Sequence, residues 1–211
     1  MRVLRLAAIA LLLYLLLPSP AKIRADTLGD ARVGFAADRI LTIDGHSYKG
    51  RMWHMPGEQR HEQELPTVRP IFILRSHNSL GDIVLPQLHT VVEFSLPEEL
   101  SLLAGADLLR KPLGQEMING VATTEYAVEE DTSAGRATGL LWLSSDGIPM
   151  RCDGQFVAKN GKTSTVHWEL AHVTIGQQDP ALFEVPQGYA KLPPEAVQML
   201  LGMQLAPPSS R

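Results

Sequence analysis

Six dipeptides suited to tight chain reversal punctuate this sequence: Asp44-Gly45, Pro56-Gly57, Asn119-Gly120, Asp146-Gly147, Asp153-Gly154 and Asn160-Gly161. Asn-Gly and Asp-Gly supply the positive φ angles that two-residue hairpins need. Segments of strand length lie between them, so the chain reads as a turn-rich, mainly β protein and not as a helical bundle. The spacing predicts strands over 36–44, 47–55, 58–65, 68–76, 80–85 and 88–95. A second run is expected over 121–130, 136–144, 148–152, 155–159 and 164–175. Ile71-Phe72-Ile73-Leu74 and Leu140-Leu141-Trp142-Leu143 are apolar on both parities, which predicts central strands covered on both sides. Leu88, Thr90, Val92 and Phe94 fall on one face. Val166, Trp168 and Leu170 share a face, whereas Val173 and Ile175 have the opposite parity, so a bulge is expected near Ala171-His172.

Helices are few. Pro97-Glu98-Glu99 opens one, expected over 98–109, because proline and acids favour a helix start. Asp179 to Phe183 reads as a single helical turn, and Pro193-Pro194 begins a short helix to about Leu201. Residues 206–211 read as a disordered tail. No internal repeat or low-complexity linker divides the rest, so one domain is expected over 26–205.

Residues 1–25 read as an export signal. Arg2 and Arg5 precede a twelve-residue apolar run, Leu6 to Leu17, which Pro18 ends. A bilayer span needs about 20 residues, whereas a signal-peptide core is this short. Small residues allow cleavage after Ala21 or Ala25, and Ala25 is preferred because Asp26 then starts the mature chain. An uncleaved anchor is the alternative. The segment implies export across a membrane.

The net charge of −4 becomes more acidic after cleavage, with 15 basic against 23 acidic residues. Such a balance argues against nucleic acid as a partner. The one cysteine, Cys152, excludes an internal disulfide and a thiolate-cage metal site, and reads as a small buried hydrophobe, with a dimer-forming or reactive thiol as the alternative.

Catalytic and ligating motifs fail on spacing. His61-Glu62-Gln63-Glu64-Leu65 begins like a zinc-protease helix but has leucine where the second ligand belongs. Gly161-Lys162-Thr163 ends like a phosphate loop, but Gly154 lies too far upstream. Met52-Trp53-His54-Met55 offers soft copper ligands, yet on a strand Met52 and His54 face one side and Met55 the other. Core methionines beside a half-exposed histidine are the simpler expectation. His167 and His172 are a poor metal pair. No G-x-S-x-G elbow occurs. No enzyme activity, metal, nucleotide or other cofactor is expected.

Several stretches, taken in order, carry a resemblance. They are Phe35-Ala36-Ala37-Asp38, Tyr48 to Trp53, Pro56 to Glu62, Leu113 to Gly120, Thr123 to Tyr126, Gly139 to Trp142, Asp146 to Pro149 and Asp179 to Tyr189. The series resembles the outer-membrane lipoprotein-sorting (LolA-like) fold group of exported bacterial proteins, closest to an uncharacterised branch. That resemblance implies a strongly curved antiparallel sheet, an open half-barrel, with a few short helices covering its concave side. It also implies a non-enzymatic carrier, in the periplasm of a Gram-negative cell, whose hollow holds an acyl chain, a lipid or a lipoprotein. The aromatic residues Trp53, Phe72, Phe94, Tyr126, Trp142 and Trp168 either line such a hollow or pack in a filled core. Leu102, Leu103 and Leu109 would form a lid. The other reading is a structural or protein-interaction module of the cell envelope with a protein partner and no lipid.

Overall fold

A computed structural model describes residues 30–65, 68–76, 78, 80–95, 109–131 and 135–194. Twelve strands form one sheet: β1 Phe35–Ile43, β2 His46–Met55, β3 Glu58–Gln63, β4 Ile71–Arg75, β5 Leu80–Leu85, β6 Thr90–Ser95, β7 Leu109–Ile118, β8 Val121–Asp131, β9 Gly135–Ser144, β10 Pro149–Ala158, β11 Thr163–Ile175 and β12 Ala190–Leu192. The spatial order is β12-β6-β5-β4-β3-β2-β1-β11-β10-β9-β8-β7. Two antiparallel meanders, β1–β6 and β7–β11, therefore join where β1 pairs with β11. The sheet stays open, the mainly β half-barrel that the sequence implied. Among the described residues its short helical pieces include the 3-10 turns Pro86–Leu88 and Pro180–Phe183.

Local chemistry accounts for the joins. Asp44 and Gly45 have φ of 47° and 80°, and Asn119 and Gly120 have 47° and 82°. Paired positive angles of this kind make the tightly twisted two-residue hairpin. Asp153-Gly154 behaves differently. It lies inside β10, where Gly154 pairs with both Gly139 and Val166. A Cβ at Gly139 would stand 2.4 Å from the Asp153 carbonyl oxygen, so glycine permits close strand approach there instead of a turn. The two short strands expected over 148–159 are thus one. The expected bulge is present. His172 takes a φ of 51°, and the β1–β11 register slips between Ala36 and Asp38.

Three further points depart from the sequence expectation. Leu88 is not on β6: Pro86 starts a 3-10 turn that His89 closes in the left-handed region, leaving Leu88 exposed. β7 follows the segment expected as helix, and its polar sequence with Pro112 hides it. Proline is tolerated because β7 is an edge strand, and the register slips between Pro112 and Gly114. The three-residue β12 adds a parallel edge to β6, held by Ala190 N–H donating to the His89 carbonyl at 2.9 Å. The signal segment, the disordered tail, most of the 98–109 helix with Leu102 and Leu103, and the final helix beyond Pro194 lie outside the described residues.

We call inner the face that carries Leu41, 1% exposed, and outer the face that carries Ile40, 49% exposed. On the inner side, Phe35, Ala37, Leu41, Cys152, Val166, Trp168 and Leu170 form the principal core. Burial of such side chains contributes about 25 cal/mol per Å² of apolar surface. Phe72, Ile83, Val92 and Phe94 extend the same face across β4–β6, by their pairing register with Ala37 and Phe35. Gly81 makes room for the Phe94 ring, since a Cβ there would meet the ring carbons at 2.4 Å. On the outer side, Ile73, Val84 and Val91 are capped by Phe183, with Leu182, Val185 and Tyr189 around it. Arg60 and Arg75 donate to the Leu182 and Phe183 carbonyls at 2.8 Å each and pin this C-terminal segment.

Candidate functional site

The six aromatic residues singled out from sequence divide between the faces. Phe72, Phe94 and Trp168 are buried on the inner face, and Tyr126 is half-buried there. Trp53 and Trp142 point outward. The guanidinium groups of Arg51 and Arg60 both lie over the Trp53 ring, at 5.4 and 5.7 Å. Trp142 is buried beneath Arg151 at 5.2 Å, and its indole Nε1 has no hydrogen-bond partner. Arg151 is anchored by Glu169 at 2.7 Å and Glu116 at 3.3 Å, so this outer corner is a clamp between strands. Of the lid residues, Leu109 begins β7, and Leu102 and Leu103 are not among the described residues.

Tyr126 marks a hollow of about 630 Å³ at the β7–β9 end. Met117, Ala122, Tyr126 and Leu143 give it an apolar floor, and Arg110 lies 4.9 Å over the Tyr126 ring. The rim is polar, with Arg32, Asp30 and Asp146. Arg32 is fixed there: its N–H donates to the Asp146 carbonyl at 2.9 Å, and its guanidinium donates to the Ser145 carbonyl. Volume and mixed lining fall in the ordinary range of ligand clefts.

A second feature was not singled out from sequence. Strand β3, Glu58–Gln63, carries no apolar residue, yet it lies between β2 and β4 in the middle of the sheet. Its inner-facing residues are Gln59, His61 and Gln63, and the last two meet Arg39 from β1. Arg39 Nη1 bonds His61 Nδ1 at 3.0 Å, and Arg39 Nη2 donates to Gln63 Oε1 at 3.1 Å. An arginine can only donate, so Nδ1 is the acceptor and the imidazole proton sits on Nε2. Nε2 then donates to Gln59 Oε1 at 3.0 Å, and Gln63 Nε2 donates to the Lys49 carbonyl at 2.7 Å. The network holds neutral His61 at 3% exposure. Burial pushes the His61 pKa well below its usual value, and the charge of Arg39 and then that of His54 push the same way. Burial also lowers the Arg39 pKa to about 10. The clue in the sequence was a strand with polar residues on both parities beside strands apolar on both.

His54 is buried at 2% and not half-exposed as expected; it does share its face with Met52. Its ring stacks on Phe35 at 5.0 Å. Nε2 meets Asp30 Oδ1 at 2.7 Å, and Nδ1 meets the Val33 carbonyl at 2.9 Å. Asp30 also accepts from the Gly57 N–H, which ties the start of the described chain to the β2–β3 turn. Cys152 is buried, and burial, aided by the Asp153 charge, raises its thiol to about 12. It is an inert core thiol. Among the described residues, no three His, Cys, Asp or Glu side chains group closely enough to hold a metal ion, and no helix is long and apolar enough to cross a membrane.

No family model matches the chain, and no curated protein matches it in sequence. Solved structures do. The chain is similar in fold to an uncharacterized conserved protein from Thermus thermophilus, with a TM-score of 0.53 and 11% identity over 77% of this chain and 91% of that one. It is also similar to MucB in the MucA/MucB complex of Pseudomonas aeruginosa, with a TM-score of 0.47 and 13% identity over 74% of this chain and 57% of that one. A LolA superfamily protein from Nitrosomonas europaea gives a TM-score of 0.40 and 10% identity over 75% of this chain and 93% of that one. Identities this low show a shared fold alone.

Proposed function

We propose that this protein is a non-enzymatic carrier, exported to the periplasm, that holds an acyl chain, as lipid or lipoprotein, against the inner face of its half-barrel. The observation that carries the reading is the open hollow floored by Tyr126, Leu143, Ala122 and Met117. It is large enough for part of an acyl chain and opens on the inner face, which is apolar around Leu41 and Trp168 and again at Phe72 and Phe94, on either side of the polar strip of β3. A rim of mixed charge, with Arg32 and Arg110 beside Asp30 and Asp146, suits a polar head at the mouth. The test is native mass spectrometry of residues 26–211, purified from the periplasm without detergent, followed by organic extraction. About one lipid or acylated peptide per chain is the expected result. A clean protein mass that persists after incubation with lipids and acylated peptides overturns it.

The alternative, an envelope module that binds a protein and no lipid, draws on β7. This edge strand exposes Leu113 at 51% and Met117 at 61% along the margin of the sheet, where a partner strand could add. Pro112 and the neighbouring register slip blunt that edge, which favours the carrier reading.

A further inference from the structure

Five charged side chains line the hollow at the β7–β9 end, and the bonds they make elsewhere separate them. Asp30 is committed to the His54 ring at 2.7 Å and to the Gly57 N–H. Glu116 pairs with Arg151 at 3.3 Å. Arg110 is held over the Tyr126 ring at 4.9 Å. Arg32 and Asp146 differ from these three. The Arg32 guanidinium donates to the Ser145 carbonyl and meets no carboxylate among the described residues. The Asp146 carboxylate accepts no hydrogen bond and forms no ion pair among them. The two residues are backbone neighbours, since the Arg32 N–H donates to the Asp146 carbonyl at 2.9 Å, yet their side chains do not pair with each other. Both are carried on fixed backbone. Ser144 Oγ accepts from the Asp146 and Ile148 N–H groups at 3.2 and 3.1 Å, and Gly147 completes the turn at a φ of 81°. A Cβ on Gly147 would stand 3.5 Å from Ala31 Cα, so the turn is seated against the segment that carries Arg32. Groups fixed before binding lose less freedom when a ligand arrives.

We propose that the acyl ligand of this hollow carries a zwitterionic head, a phosphate joined to an ammonium, with the phosphate at Arg32 and the ammonium at Asp146. The proposal rests on the acyl-carrier reading and adds the head-group chemistry. A guanidinium presents N–H donors in a planar fork that matches phosphate oxygens, and a carboxylate only accepts, which suits an ammonium. A purely anionic head would satisfy Arg32 and set like charge against Asp146. A purely cationic head would do the reverse. The tail has its place in the same hollow, on the floor of Met117, Ala122, Tyr126 and Leu143. One cavity of about 630 Å³ thus takes both ends, with its charged side at residues 30–32 and 144–147 and its apolar floor on β7–β9.

The experiment is calorimetric titration of residues 26–211 with three palmitoyl lipids, each below its micelle-forming concentration. They are the zwitterionic lysophosphatidylethanolamine, the anionic lysophosphatidylglycerol and the uncharged monopalmitoylglycerol. Wild type, Arg32→Gln and Asp146→Asn are compared by the affinity ratios within each protein. Asn-Gly favours the same hairpin as Asp-Gly, and Arg32 is exposed, so both variants keep the fold. Should one of them fail to fold, the other decides alone. An ion pair at a water-exposed rim contributes up to about fivefold in affinity. In wild type the zwitterion should therefore bind about threefold more tightly than the anionic lipid and about tenfold more tightly than the uncharged one. Asp146→Asn should abolish the preference over the anionic lipid. Arg32→Gln should cut the preference over the uncharged lipid to about threefold or less. Wild type that binds the anionic or the uncharged lipid as tightly as the zwitterion overturns the proposal and leaves the carrier reading standing. A preference that survives unchanged in its variant also overturns it. Absence of binding by all three lipids overturns the carrier reading and this proposal together.

Discussion

Acid should unfold this protein partly through one side chain, His61. In the native state His61 is neutral, with Nδ1 accepting from Arg39 and Nε2 donating to Gln59. Burial and the adjacent guanidinium lower its pKa far below 6.5. In the unfolded chain the same imidazole titrates near 6.5. The native pKa is the lower of the two, so between them the unfolded chain binds a proton that the native protein does not. Stability is complete above about pH 6.5 and falls as the pH drops below it, by up to about 1.4 kcal/mol per unit. Between pH 6.5 and pH 5 the loss is about 2 kcal/mol. Glu169 carries a lowered pKa from its bonds to Arg151 and Asn119, so acid acts there too, and the histidine must be isolated by difference. His61→Gln provides this: its amide can accept from Arg39 and donate to Gln59 without titrating. Urea unfolding followed by circular dichroism at half-unit steps from pH 8 to pH 5 measures the effect. Wild type should lose about 2 kcal/mol more than the variant over the acid part of that range. Parallel stability curves for the two proteins would refute the buried neutral imidazole.

Other consequences can be measured on the same material. Trp168→Ala, in the core against Leu41 and Val166, should cost about 3–5 kcal/mol in chemical denaturation. Gly81→Val should be destabilising by more than about 1 kcal/mol, because its side chain must displace the Phe94 ring. Cys152 should resist maleimide labelling in the native protein for as long as the core stays closed, and react on unfolding, as read by mass spectrometry. Arg75→Met leaves buried Asp82 without its 2.6 Å partner and releases the Phe183 carbonyl. It should destabilise by about 3–5 kcal/mol and raise protease cleavage between Asp179 and Tyr189.

The strands were legible where local chemistry and burial agree. Ile71-Phe72-Ile73-Leu74 is apolar on both parities and became β4, buried on one face by the main sheet core and on the other by Phe183. Asp44-Gly45 and Asn119-Gly120 became hairpins because no pairing competes with their positive φ. Asp153-Gly154 has the same signature but lies between two long pairing partners, and the ladder overrode the turn. β7 was missed because an edge strand need not alternate, and Pro112 and Gly114 suppress the usual pattern. The site was less legible. Aromatic content alone could not separate the inward Phe72, Phe94, Tyr126 and Trp168 from the outward Trp53 and Trp142, since one residue of register reverses the face. Arg39 and His61 gave no sign in isolation. Their meaning comes from β3 being polar on both faces while occupying the centre of the sheet.

Photo-crosslinking tests the central claim, that an acyl chain lies on the inner face. Residues 26–211 would be incubated with a palmitate analogue carrying a diazirine along its chain, irradiated, and mapped residue by residue by tandem mass spectrometry. The account predicts adducts concentrated on inner-face positions such as Met117, Ala122, Tyr126 and Leu143, suppressed by excess unlabelled palmitate. Adducts confined to the outer face around Ile40, Trp53 and Val157, or a pattern that palmitate does not compete, would contradict it.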